Sequence, residues 1–257
     1  MCIRDSAKTA HGLIRGTERF NIIGLVDGEA NAGKDAGFLL DGKHMDIPVF
    51  ATMDDAIESL EKVDYLIIGV ATVGGRLPKN MLALIYDAIK KGISVVNGLH
   101  EYLNDKADLV DIATSTGAQL IDVRKPKSRA DLHFWDGAIF NVTAPIVAVI
   151  GMDCAMGKRT TARMLKQACN AEGMKAEMIY TGQTGWLQGG KYGFIFDSTL
   201  NDFVSGELEH AIVSCWKETQ PDILFLEGQS SLRNPSGPCG LEPVSYTHLT
   251  LPTKRIV

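Results

Sequence analysis

Lys158, Arg159 and Thr160 follow directly on Gly157 in the stretch PIVAVIGMDCAMGKRTTARML (145–165), and together they could hold a phosphate. An apolar strand runs into a loop bounded by Gly151 and Gly157, and a helix pattern follows. Backbone N–H groups at such a helix start point at the ligand, and the helix dipole favours an anion there. Lys158 would reach a second phosphate, and Thr160 could serve a magnesium ion. The spacing is unusual. Five residues separate the glycines where the standard phosphate loop has four, and Arg159 stands where a hydroxyl is usual. The strand before and the helix after carry the phosphate-binding reading more than the bare pattern does.

A second group of residues could complete the chemistry. PDILFLEGQSSL (221–232) reads as an apolar strand delivering Glu227 to its carboxyl end, where an acid can hold a metal or a water or act as a base. TGQTGWLQGG, after the strand EMIY, has too many glycines for a helix interior and reads as a ligand loop at a strand end. Gln183, Thr184, Trp186, Gln188 and Lys191 supply amide, hydroxyl, aromatic and cation groups suited to a small polar substrate. In DFVSGELEHAI, Ser205 reads as a helix N-cap with Glu207 and Glu209 in the first turns. Glu209 and His210 could do acid–base work, although a solvated helix face suits both.

Those residues need elements to position them. Residues 7–124 alternate strand and helix signals: NIIGLVD, IPVF, DYLIIGV, ISVVNGL and AQLIDV as strands, with helices between. LPKNMLALIYDAIKKG puts Met81, Leu82, Ile85, Ala88 and Ile89 on one face and stops at Gly92. HEYLNDKADLVDIATSTG reads as one helix, and MDDAIESLEK opens another with acids in its first turn. Residues 125–144 break the rhythm and read as a linker. A second unit over 145–243 opens with PIVAVI, and its loop helix is expected to share a face of Thr161, Met164, Leu165, Ala168 and Cys169. The fold class is α/β: two parallel-sheet units, a Rossmann-like N-terminal half and a P-loop NTPase-like C-terminal half. If FNIIGLV is the second strand of the first unit, Asp27 ends it where such folds place an acid on a ribose hydroxyl. The helix KTAHGLIRG would then be the first, and the first strand with its glycine loop would precede residue 7.

Bulk properties exclude several classes. A net charge of −5 argues against a nucleic-acid or acidic-membrane surface, and no apolar run approaches membrane-spanning length. Five cysteines (Cys2, Cys154, Cys169, Cys215 and Cys239) without CxxC spacing read as reduced, cytoplasmic thiols. Singly scattered histidines give no metal site. The flanks MCIRDS (1–6) and VSYTHLTLPTKRIV (244–257) fit neither neighbour and resemble translated adapter read-through on metagenomic assemblies. An internal fragment, poorly soluble or inactive by itself, is therefore expected.

GMDCAMGK resembles the GTDxxVGK loop of dethiobiotin synthetase and its relatives, which also carry five residues between the glycines and a later strand ending VEG. That likeness implies ATP with magnesium and a ligase or kinase. KTAHGLIRG, GGRLP, GLHEYL, DVRKP, GMDCAMGKRTTA, TGQTGWLQGGKYG, NDFVSGELEHAI and EGQSSL together resemble a family of formerly unknown function joining a Rossmann-like half to a P-loop half. Members with an assigned activity are D-glutamate N-acetyltransferases. This resemblance implies acetyl-CoA as cofactor and an amino-acid substrate; it assigns no base, for which Glu227 and Glu209 are the candidates on acid–base chemistry. Arg159 beside Lys158 suits the pyrophosphate and 3′-phosphate of coenzyme A as well as it suits ATP. An NAD-dependent oxidoreductase and a non-enzymatic nucleotide-binding module remain open, and apolar sheet edges are compatible with a homo-oligomer.

Overall fold

The computed structural model of the chain describes residues 7–152 and 156–229. The expectations about both flanks, about Cys2, Cys154 and Cys239, and about the SSL of EGQSSL lie outside them. The chain divides into two compact units, Met1–Lys125 with Leu187–Gly189, and Pro126–Trp186 with Gly190–Val257.

In the first unit the order is α1 (Lys8–Ile14), β1 (Leu25–Val26), α2 (Ala36–Asp41), β2 (Val49–Phe50), α3 (Met53–Ser59), β3 (Tyr65–Ile67), α4 (Lys79–Lys90), β4 (Ser94–Asn97), α5 (Ala107–Thr116) and β5 (Leu120–Asp122). Every strand pairing is parallel, as alternating strands and helices require. The strands form two sheets, β1-β2 and β3-β4-β5. Helix starts are chemically marked. Asp35 accepts from the Phe38 N–H, and Thr52 with Asp55 forms a reciprocal capping box at α3. Ile85, Ala88 and Ile89 of α4 are fully buried, with Met81 and Leu82 packed beside them, so the expected face is real.

Two readings of this unit are corrected. NIIGLVD pairs over only two residues. HEYLNDKADLVDIATSTG is not one helix, because α5 begins at Ala107 and a 3-10 turn at Leu103–Asp105 precedes it. The Asp122 carboxylate explains the break. It accepts from Leu103 N, Asn104 N and the side-chain amides of Asn104 and fully buried Asn97, at 2.7–2.9 Å. Asp122→Ala would strand these donors, each costing about 1–3 kcal/mol where buried. A clear fall in the urea midpoint is expected, and an unchanged midpoint would refute this role.

The second unit runs β6 (Ile146–Val149), α6 (Lys158–Ala171), β7 (Ala176–Ile179), α7 (Gln183–Leu187), α8 (Val204–Thr219) and β8 (Ile223–Glu227), with parallel order β6-β8-β7. Side chains alternate across this sheet. Ile146, Ile179, Leu224 and Leu226 pack with Leu208 and Ile212 of α8, whereas Val147, Met178 and Phe225 pack with Ala162 and Cys169 of α6. The segment read as a linker supplies Ile139, Val142 and Ala144 to the α8-side core. The face expected on α6 is wrong: Met164 is 63% exposed, and Thr161, Leu165 and Ala168 are exposed too. Ala162 lies against the sheet instead, its small side chain allowing close approach, and Cys169 follows two turns later. Burial raises the Cys215 thiol to about 12. Among the described residues no helix is long and apolar enough to cross a membrane.

Candidate functional site

β6 delivers the chain to Gly151, and α6 starts immediately after Gly157. Gly157 caps the helix at φ 89°, a left-handed conformation that glycine adopts at no steric cost, and no side chain caps the helix there. The N–H groups of Lys158, Arg159 and Thr160 lie in the first turn of a 14-residue helix, and intrahelical bonding includes Thr161 N to Gly157 O at 2.8 Å. The Lys158 stem lies beside Gly151. A Cβ added at Gly151 would sit 3.3–3.4 Å from the Lys158 Cγ and Cδ, so a glycine there leaves room for the lysine stem. The arrangement fits a phosphate or pyrophosphate group, which could come from coenzyme A or from ATP.

Glu227 ends β8 opposite Val149, the last residue of β6. It lies two residues after Phe225, so it shares the face of the sheet that carries α6. Its side chain is buried, and Oε2 accepts from Thr181 N at 3.0 Å. The Thr181 hydroxyl donates to the Glu227 carbonyl at 2.8 Å and accepts from Gln229 Nε2 at 3.1 Å. Thr181 and Gln229 were missed by sequence reasoning, although each stands at a strand's carboxyl end, where that logic places ligand groups.

The glycines of TGQTGWLQGG do not exclude a helix, because α7 forms across Gly185. They serve close packing. A Cβ at Gly185 would come 2.3 Å from the Tyr180 Cβ and 3.1 Å from Glu227 Oε2. Gln183 sits at the start of α7, half-buried, and Trp186 is also half-buried, while Thr184 is buried. Two cationic or amide groups expected at this site are committed elsewhere. Lys191 is exposed and pairs with Glu218 in the last turn of α8 at 2.6 Å, which raises its pKa. Gln188 is buried within the first unit, donating to Gly12 O and Gly16 O. Asp27 directly follows β1 and accepts from Asn31 Nδ2 at 2.7 Å.

Ser205 does not cap α8. The helix starts at Val204 without a side-chain cap, and a 3-10 turn at Asn201–Phe203 leads into it. The solvated fate of Glu209 is also corrected. Glu209 is 3% exposed and accepts from Asp136 N and Ile139 N at 2.8 and 3.0 Å, so it anchors the 136–139 turn. Neighbouring Glu207, 1% exposed, accepts from the His133 N–H, the His133 ring at 2.8 Å and Lys127 at 2.6 Å. Burial opposes the charge of Glu207, but these hydrogen bonds outweigh it and lower its pKa. His210 is exposed on one side and stacks face to face on His133, centroids 3.4 Å apart. α8 covers the sheet face opposite α6, so Glu209 and His210 are not gathered with Lys158 and Glu227.

Shielding from water, then the proximity of His133, lowers the pKa of His210. A depressed imidazole contributes its full stability above the ordinary value of about 6.5 and loses it as pH falls through that value toward the folded one. Lowering pH from about 7 to about 5 is therefore expected to reduce the Tm, and His210→Gln to flatten part of that slope. An identical slope in the variant would contradict this assignment.

A strand, a glycine-bounded loop and a helix, with an acid on the adjacent parallel strand, define a P-loop domain preceded by a Rossmann-like one. Comparison with known proteins agrees. Residues 29–126 match the profile described as Domain of unknown function (DUF1611_N) Rossmann-like domain, and residues 133–249 match Domain of unknown function (DUF1611_C) P-loop domain. The chain belongs to this DUF1611 family. It is 32% identical over 170 residues to a D-glutamate N-acetyltransferase of Pseudoalteromonas sp., covering 66% of this chain and 49% of that protein. It is 34% identical over 186 residues to a D-glutamate N-acetyltransferase of Tritonibacter scottomollicae, covering 72% and 51%. The chain thus spans about half the length of the curated relatives it matches. A crystal structure of a DUF1611 family protein from Anabaena variabilis superposes with a TM-score of 0.83 at 31% identity, covering 93% of this chain and 66% of that one.

Proposed function

We propose that this chain carries the cofactor-binding part of an acetyl-CoA-dependent N-acetyltransferase acting on an amino acid, D-glutamate in particular. The similarity to two relatives named D-glutamate N-acetyltransferase carries the reading. Acetyl-CoA, when bound, supplies an activated acetyl thioester. The first-turn N–H groups of α6, with Lys158 and Arg159, hold the anionic end of such a cofactor. Glu227 is the base candidate: it lies at the sheet's carboxyl end on the α6 side, and Thr181 N fixes one of its oxygens. It takes the proton that the amino group must lose as its nitrogen bonds to the acetyl carbon and the thiolate departs. Glu209, with each oxygen accepting from a backbone N–H of the 136–139 turn, positions its segment instead.

Mg–ATP is the second reading, favoured by Thr160 at the helix start and by the acid on the strand beside β6. Because the chain spans about half the length of those relatives, the test extends it to their full length, incubates it with acetyl-CoA and either D- or L-glutamate, and follows thiol release and N-acetyl product. D-dependent release is the expected result. Release that is independent of the amino acid, or ATP hydrolysis in its place, would sink the reading.

A further inference from the structure

The carboxyl end of the second unit's sheet gathers more than the base candidate. β7 and β8 are parallel neighbours, and Thr181 and Gln229 each stand two residues beyond their strand's last residue. Their side chains meet. The Thr181 hydroxyl donates to the Glu227 carbonyl oxygen at 2.8 Å, and Gln229 Nε2 lies 3.1 Å from that hydroxyl. A carbonyl has no proton to give, so the single hydroxyl proton goes to Glu227 O. Thr181 Oγ1 can then only accept from Gln229, which fixes the amide with its nitrogen on this side. Thr181 is 1% exposed, so water does not compete for the relay.

The same nitrogen borders the base. A Cβ at Gly182 would fall 2.7 Å from Gln229 Nε2 and 3.8 Å from Glu227 Oε1, so both groups flank one glycine. The other carboxylate oxygen, Oε2, is turned to Thr181 N and to Gly185, where a Cβ would come 3.1 Å from it. The strand that leads into the phosphate loop is adjacent. Gly228, between Glu227 and Gln229, donates to Val149 O at 3.0 Å, and a Cβ on it would lie 2.6 Å from that oxygen.

An acyl transfer needs, beside its base, a hydrogen-bond donor for the oxygen on which charge develops. We propose that Gln229 is that donor, its second N–H holding the acetyl carbonyl oxygen of the thioester. This role rests on the acetyltransferase reading. Gln229 donates as the amine nitrogen bonds to the acetyl carbon and the carbonyl π pair moves onto oxygen. Glu227 takes the proton from that nitrogen. The pair returns to the carbonyl as the C–S bond breaks and the thiolate leaves. Because Thr181 already fixes the amide, Gln229 stabilises the charged oxygen without reorganising during the reaction. Thr181 is a positioning residue twice over: its N–H orients the Glu227 carboxylate and its hydroxyl orients the Gln229 amide.

The test compares Gln229→Met and Thr181→Val with the wild type, each in the protein extended to the full length of its relatives. Gln229→Met keeps the length of the side chain and removes the N–H groups. Its kcat for D-glutamate acetylation is expected to fall about a hundredfold, with both KM values within about threefold of wild type. Infrared difference spectra give a readout without turnover. The thioester carbonyl of bound acetyl-CoA, isotopically labelled and without amino acid, should absorb at lower frequency in the wild type than in Gln229→Met. Thr181→Val keeps the backbone N–H to Glu227 and loses the hydroxyl, so kcat should drop about tenfold, and Thr181→Ser should recover most of it. Wild-type kcat and carbonyl frequency in Gln229→Met, or a loss carried wholly by KM, would overturn the role and leave the acetyltransferase reading standing. A wild type that transfers no acetyl group would overturn the reading and the role together.

Discussion

Lys158→Ala is expected to weaken acetyl-CoA binding by roughly ten- to a hundredfold, the loss of about 1.5–3 kcal/mol typical of a hydrogen bond to a charged group. The helix N–H groups would remain, so some affinity should persist. Lys158 stands at the first position of α6 beside Gly151 and belongs to neither core cluster of the second unit. The unliganded variant should therefore keep its stability to within about 0.5 kcal/mol. Calorimetric titration checks the first statement and urea unfolding the second. Wild-type affinity in the variant would remove the loop from cofactor binding.

Gly206→Ala is expected to be strongly destabilising. Gly206 lies in the first turn of α8, and an added Cβ would fall 2.1 Å from the His133 carbonyl oxygen and 2.5 Å from the Phe134 carbonyl carbon. Those are backbone atoms, and His133 is held on the same helix by Glu207 through its N–H and its ring. Relief requires the 133–139 segment to lift away, which would strain the anchors made by Glu207 and Glu209 together. Overpacking of this kind costs about 1–3 kcal/mol before any anchor is lost, so a drop in Tm of several degrees is expected. A variant as stable as the parent would show that the segment is not tightly seated.

The alternation of apolar strands and amphipathic helices was legible because each element carries its own period and stop signals. Ile85, Ala88 and Ile89 follow helical spacing, and the acids of MDDAIESLEK mark a helix start. The phosphate loop was legible despite its spacing, since β6 and α6 flank it in the right order. Long-range commitments were not legible. Nothing local in ELEH says that Glu207 and Glu209 are buried beneath a segment 70 residues earlier. Nothing in QGGKYG says that Lys191 reaches Glu218 or that Gln188 belongs with α1. The α6 face was misread because Met164 and Leu165 are apolar, whereas the small Ala162 allows the helix to approach the sheet. The glycines after Tyr180 read as a ligand loop, yet Gly185 lies in a helix and packs closely against that tyrosine.

The most direct test of the central claim is a thermal-shift comparison of acetyl-CoA with Mg–ATP on the protein. A ligand that binds only the folded state raises its apparent stability by mass action, about 2.7 kcal/mol at a hundred times the Kd. The acetyltransferase reading predicts stabilisation by acetyl-CoA, absent in Lys158→Ala and not matched by Mg–ATP. Stabilisation by Mg–ATP alone would contradict it.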